Sequence, residues 1–537
     1  MYDYVIVGGG SAGSVLAARL SEDPQVKVCL VEAGPVDSAE QIHIPAAFSK
    51  LFRTRLDWDY DTHDEPYLNR RRVYLPRGRV LGGTSSINTQ IYIRGNQADY
   101  DSWNQPGWSY RELLPYFKRS EDNERGASDY HGSGGPLAVS DGRAANPMST
   151  AFVEAAVEAG FAANDDFNGA AQDGFGAFQL NQRDGRRAST ATAFLHPALA
   201  RPNLTVETNL QVHRVLIEDG RASGVVGYRL DELVTLRAER EVILSAGTYN
   251  TPQLLQLSGI GPAGLLGALG IPVILDQPQV GQNLQDHVLV PLVYPHEHPI
   301  SMLAAGSPEN VERFIAEGRG PLTSNGPEVG GFARTDSSLA APDVEYLAAP
   351  VMFTDSGLGI PTAHALTFGP SLLTPHSRGE VGLASEDPTA KPRILHNYFA
   401  ERADLDTAVA ALRIALDIAG QKALAPYTAT PHLPPASASD ADLRAYILRV
   451  THSIYHPTST CAMGAVVDAE LKVLGVDGLR VADASVMPAV PRGNTNAPTI
   501  AIAEKAADLI RGRSLTPADL PARTEPAGRA GAVPAGV

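Results

Sequence analysis

Tyr4-Val5-Ile6-Val7-Gly8-Gly9-Gly10-Ser11-Ala12-Gly13, followed by a helical stretch and then by Val28-Cys29-Leu30-Val31-Glu32-Ala33-Gly34, decides the fold of the N-terminal part of this chain. An apolar run that ends on glycines reads as a buried strand feeding a tight turn. Gly8 permits that turn, Gly10 lets the backbone approach a pyrophosphate, and Gly13 lets the following helix pack close to the strand. The N-terminus of that helix offers unpaired N–H groups to the phosphates. Glu32, about twenty residues beyond Gly13 and at the end of the second apolar strand, is placed to accept hydrogen bonds from a ribose. Glycine-rich turns occur in many folds; the order strand, turn, helix, strand, acid points to a dinucleotide site.

The chain has 537 residues, more than one hydrophobic core normally serves, so two or more domains are expected. No run of about twenty apolar residues predicts a transmembrane helix. The first strand starts at Tyr2 and leaves no room for a cleavable signal, so a cytoplasmic location is expected. Cys29 and Cys461 suggest no disulfide framework, and no metal is expected. A formal charge of −16 argues against nucleic acid or an anionic membrane surface as the main partner. The run Arg70-Arg71-Arg72 reads as a solvated or substrate-rim face.

The expected architecture is α/β, or α+β as a whole: a Rossmann-like domain with a second domain on a mixed or antiparallel sheet with helices. Residues 1–290 carry glycine-rich turns and short apolar strands, such as Thr205 to Thr208, Gly224 to Tyr228 and Glu241 to Gly247, and predict a mainly parallel sheet. Residues 291–450 mix proline-rich connections with strand-like Asp343 to Leu347 and His364 to Phe368 and an amphipathic helix around Leu405 to Ala419. They predict the second, substrate-binding domain. Residues 451–515 return to the first domain through Leu479 to Ala484 and a helix from Ala497 to Arg513 with Pro498 in its first turn. The tail 516–537 is expected to be disordered.

Three further segments carry a family resemblance. Gly78-Arg79-Val80-Leu81-Gly82-Gly83-Thr84-Ser85-Ser86-Ile87-Asn88 resembles the first signature of the glucose-methanol-choline oxidoreductases, and Gly247-Thr248-Tyr249-Asn250-Thr251-Pro252 with the residues up to Gly261 resembles the second. His456-Pro457-Thr458-Ser459-Thr460-Cys461-Ala462-Met463-Gly464, with Asp483-Ala484 and Asn494-Thr495-Asn496, is similar to the family's C-terminal active-site region. The resemblance implies FAD and oxidation of an alcohol by hydride transfer to flavin. The cofactor-binding set it implies is Gly8, Gly10, Ser11, Ala12, Gly13, Glu32, Ala33, Gly82, Gly83, Thr84, Asn88, Val212, Asp483, Ala484 and Asn496. Two glycines at 82 and 83 remove the side-chain barrier to a close-lying ring, and Thr84 and Asn88 add polar groups without bulk. Asp483 resembles the family's aspartate near the ribityl and phosphate groups; a helix cap is the other reading of an Asp at a strand end.

Alcohol oxidation needs a base for the hydroxyl proton and a partner for the developing alkoxide. His456 sits where the family's active-site histidine sits, and Asn496 falls where the family places a second histidine or an asparagine. An amide can hydrogen-bond the substrate oxygen but cannot take its proton, so His456 is assigned the proton chemistry and Asn496 the stabilisation of the oxygen. Some family members attach FAD through a histidine where this chain has Ile87, so a non-covalent flavin is expected. Ser459 stands where the family often has glycine. Trp58 and Tyr455 read either as an aromatic wall, conceivably a cage for a quaternary ammonium, or as ordinary core aromatics. The expected partners are a primary alcohol and O2, a quinone or an artificial electron acceptor. Choline dehydrogenase-like activity, or the non-redox chemistry of relatives such as hydroxynitrile lyases and a photodecarboxylase, are the alternatives.

Overall fold

A computed structural model describes residues 1–520. The strands Tyr2–Val7, Val28–Val31 and Leu204–Glu207 pair in parallel, with Val5 opposite Cys29 and Cys29 opposite Thr205. The first two strands are apolar where helices cover them: Val5, Ile6, Cys29 and Leu30 have no exposed surface. The helix Ser11–Leu20 packs against Asn496–Ile510, whose polar Glu504 is buried but paired with Arg19 at 2.8 Å and Arg119 at 2.6 Å.

The first sheet is mainly parallel, as expected, and also carries an antiparallel part. Strand Glu232–Leu244 is long enough to join two arrangements. Its buried C-terminal half pairs in parallel with Tyr2–Val7 and Leu479–Val481, while its half-exposed N-terminal half opens an antiparallel meander with Arg221–Arg229 and Gln211–Glu218. Water on one face permits the antiparallel part, whereas the parallel part is buried on both.

A second sheet runs in the order His452–Ser453, Val288–Leu289, His364–Leu372, Val344–Ala349, Val329–Ala333, Gly174–Ala177, antiparallel throughout. Its edge strand Gly174–Ala177 comes from the 1–290 segment. The two-residue period of a strand divides its faces. Val344, Tyr346 and Ala348 enter a core with the helix Arg402–Ala419, while Leu347 and Ala349 face a cleft against the first sheet.

Of the tail expected to be disordered from residue 516, residues 516–520 are docked: Ala518 N–H donates to Arg111 O at 2.8 Å and Leu520 packs on the first core. Residues 521–537 lie outside the described part. Among the described residues no helix is long and apolar enough to cross a membrane.

Candidate active site

The cleft lies at the carboxyl ends of the parallel strands, marked by Val7, Val31 and Ser245. At its nucleotide end each glycine has a distinct task. Gly8 has φ 102°, and a Cβ there would come 2.4 Å from Ser245 O. A Cβ on Gly13 would lie 1.9 Å from Gly8 O, so Gly13 serves helix packing and does not face the cleft. Gly10 and Gly247 both line the cleft, and a Cβ on either would enter open space: nothing lies nearer than 3.7 Å at Gly10, nor within 4 Å at Gly247. Gly10 also caps the helix Ser11–Leu20 without a side-chain bond. Open glycine faces around an uncapped helix N-terminus make a cradle that fits a pyrophosphate.

The second glycine loop abuts the first. Gly82 N–H donates to Gly9 O at 2.7 Å, and a Cβ on Gly83 would lie 2.6 Å from Gly10 Cα. Gly83, Thr84 and Asn88 line the cleft and Gly82 does not. Beneath them Arg187, buried without a carboxylate partner, donates to Ile42 O at 2.7 Å and Asn88 Oδ1 at 2.9 Å. Burial lowers its guanidinium to about 9.

Glu32 lines the cleft with Ser11, Ala12, Ala33, Val212 and Ala484. Its oxygens accept from Gly9 N–H and Gly34 N–H, both at 2.8 Å. Burial pushes this carboxyl up to about 7, against the pull of those two donors. Asp483 is also buried and fully engaged: Oδ2 accepts from Gly247 N–H at 2.9 Å and Thr251 Oγ1 at 2.6 Å, and Oδ1 from Ser485 N–H at 2.8 Å. It caps the short turn Ala484–Val486, accepts from the first N–H of the helix Gly247–Leu257, and lines the cleft.

At the other end, the loop bearing His456 wraps a buried carboxylate. Asp286 Oδ1 accepts His456 N–H at 2.7 Å, and Oδ2 accepts Ser453 Oγ and Tyr398 Oη, both at 2.6 Å. Tyr455 and Ser459, on either side of the turn, take left-handed φ values of 71° and 80°, which accounts for the family's frequent glycine at the second position. His456 Nδ1 lies 3.0 Å from His287 Nδ1, and His287 Nε2 lies 3.2 Å from Leu373 O.

A carbonyl can only accept, so His287 Nε2 carries the proton. Burial lowers His287 to about 4 and holds it neutral, leaving Nδ1 a lone pair that accepts from His456 Nδ1–H. His456 is itself held well below the ordinary range by burial, by His287 and by Arg77. Its Nε2 is therefore an unprotonated base, with the Asn494 amide donating to it at 3.1 Å.

The amide beside His456 is thus Asn494, and the assignment of that place to Asn496 is corrected. Asn496 is the first residue of the helix Asn496–Ile510, and its Oδ1 accepts from Ser11 Oγ at 2.8 Å on the dinucleotide loop. Asn494 lies before the helix and is free to turn toward His456. Asp286 and His287 escaped the sequence reading, and Asn494 was quoted in the active-site segment without a role of its own. An adjacent acid and histidine in Asn283-Leu284-Gln285-Asp286-His287 was the available signal for the first two, whereas Gly493-Asn494-Thr495-Asn496 offered no local means of choosing between its amides.

The family model described as GMC oxidoreductase matches residues 2–289 and 375–503. An oxygen-dependent choline dehydrogenase of Paraburkholderia phymatum is 43% identical over 531 residues, covering 96% of this chain and 93% of that protein. An alcohol dehydrogenase [acceptor] of Pseudomonas putida is 42% identical over 527 residues, covering 95% and 96%. Among solved structures, pyridoxine 4-oxidase from "Mesorbium loti" superposes with a TM-score of 0.88 at 33% identity, over 96% of this chain and 100% of that one. Likeness that runs the length of the chain and takes in both the glycine cradle and the His456 loop assigns this chain to the GMC oxidoreductase family.

Proposed function

We propose that this chain binds FAD without a covalent link and oxidises a primary alcohol to an aldehyde, with His456 as base and Asn494 as the donor to the substrate oxygen. The observation that carries the reading is the hydrogen-bond chain from Leu373 O through His287 to His456, which leaves the His456 Nε2 lone pair beside Asn494 at the cleft. Gly8, Gly10, Ser11 and Ala12 would hold the pyrophosphate, Glu32 and Ala33 the adenosine ribose, and Gly83, Thr84, Asn88, Val212, Asp483, Ala484 and Asn496 the remainder. Bound FAD supplies a two-electron, hydride-accepting ring. His456 Nε2 takes the hydroxyl proton, and the Asn494 amide donates to the oxygen as negative charge grows there. His287 and Asp286 act on His456, one holding the proton on Nδ1 and the other anchoring the backbone. Ile87 lines the cleft with no nucleophilic atom, which supports a non-covalent flavin.

An anaerobic screen of alcohols tests this. Bleaching of the flavin absorbance by an alcohol, without added nicotinamide, is the expected result; a flavin that no alcohol reduces would refute it.

A further inference from the structure

Beyond His456 the cleft is walled by Phe48, Phe52, Leu347, Val351, Phe353 and Tyr455. The rings form a continuous surface, with Phe52 6.0 Å from Phe48 and 6.3 Å from Tyr455. Such a wall accepts apolar matter; its Phe and Tyr faces offer a cation aromatic attraction but no counter-charge. Among the described residues the acids lining the cleft are Glu32 and Asp483, both at the nucleotide end and both engaged by N–H donors. Glu345 shares a strand face with Leu347 but lies outside the cleft lining, and burial pushes its carboxyl up to about 8.

The Trp58 face is already taken. Trp58 stacks on Tyr60 at 6.0 Å and 6°, and the Arg79 guanidinium lies 5.1 Å over its ring. Arg77 lines the cleft, donating from Nη2 to Tyr455 O at 2.8 Å, and adds a positive charge next to His456. His452, the other histidine in the lining, is neutral through burial.

We infer that the alcohol taken by this cleft is an uncharged molecule with an apolar body, aliphatic or aromatic, and that quaternary ammonium alcohols such as choline are rejected. This rests on the alcohol-oxidation reading above. It separates the chain from the substrate named for its choline dehydrogenase relative, despite the shared fold.

The test compares choline with its neutral isostere, in which carbon replaces the quaternary nitrogen, and with benzyl alcohol, on the FAD-loaded protein under anaerobic conditions. The neutral isostere should exceed choline in kcat/KM by about 100-fold or more, the scale of placing an unpaired charge in an apolar site. Arg77→Gln should narrow that ratio by about ten-fold or more, the Coulomb effect of a like charge within about 12 Å at an effective dielectric constant of about 20. Choline equal to or better than its isostere would overturn the inference while leaving alcohol oxidation intact. An unchanged ratio in Arg77→Gln would refute the part given to that residue. If none of the three alcohols bleaches the flavin while others do, the inference also falls; if no alcohol does, it falls with the oxidation reading itself.

Discussion

Replacing His287 by leucine removes the acceptor that holds the proton of His456 on Nδ1. In the native arrangement that N–H is buried and satisfied, and an unsatisfied buried donor costs about 1–3 kcal/mol. That cost is the bias toward the tautomer whose unprotonated Nε2 accepts from Asn494. Without that acceptor the Nδ1–H tautomer carries this cost, so the proton shifts to Nε2 by the same margin and the base is blocked. At about 1.4 kcal/mol for each ten-fold, the rate of flavin reduction should fall by about 5- to 150-fold. His287→Asn keeps an acceptor oxygen at the same place and should recover much of the loss. Anaerobic stopped-flow reduction of the flavin measures the rate, and FAD content and thermal melting show whether each variant is folded and loaded. A loaded His287→Leu enzyme that reduces its flavin at the wild-type rate would refute the relay, as would an asparagine variant no faster than the leucine one.

Asn494→Ala should slow flavin reduction with FAD retained, whereas Asn496→Ala, which loses the bond to Ser11, should weaken FAD binding more than it slows turnover; the reverse pattern restores the original assignment. His456→Ala should lower the rate of flavin reduction by about 10²–10⁴-fold with FAD still bound, read by the same stopped-flow assay. Burial lowers His287, His396 and His452 from 6.5 to about 4, so between those values the unfolded chain binds protons that the native state does not. Stability should therefore be lost as pH falls from about 6.5 toward 4, by about 1 kcal/mol per pH unit for each histidine, measurable as urea midpoints at pH 7 and pH 5. Acid precipitation should release the flavin into the supernatant; yellow protein after denaturation would contradict the part given to Ile87. Reoxidation in air should form hydrogen peroxide in step with aldehyde, while a reduced flavin that persists in air but reacts with a quinone would make the enzyme a dehydrogenase.

The nucleotide cradle was legible in the sequence because its parts act through the backbone over short spans. Gly8 needs φ 102°, Gly13 meets Gly8 O, and Glu32 reaches back to Gly9, all within a single strand–helix–strand unit. His456 could be picked out for the motif around it. The partners of that histidine are a different matter. His287 stands 169 positions away, and only the pairing of Val288–Leu289 with His452–Ser453 brings the two rings together. Asn494 and Asn496 differ by two positions in one turn; the start of a helix after Thr495 sends one amide to Ser11 and leaves the other to His456. Strand Gly174–Ala177 crosses into the second sheet because sheet membership depends on a distant edge rather than on its own residues. The apolar character of the cleft wall beyond His456 likewise emerges from segments near residues 50, 350 and 455 that share no local pattern. Local sequence determined what the backbone must do at each glycine, and tertiary packing alone decided which side chains meet, because hydrogen bonds and charges act over a few ångströms of space whatever their separation along the chain.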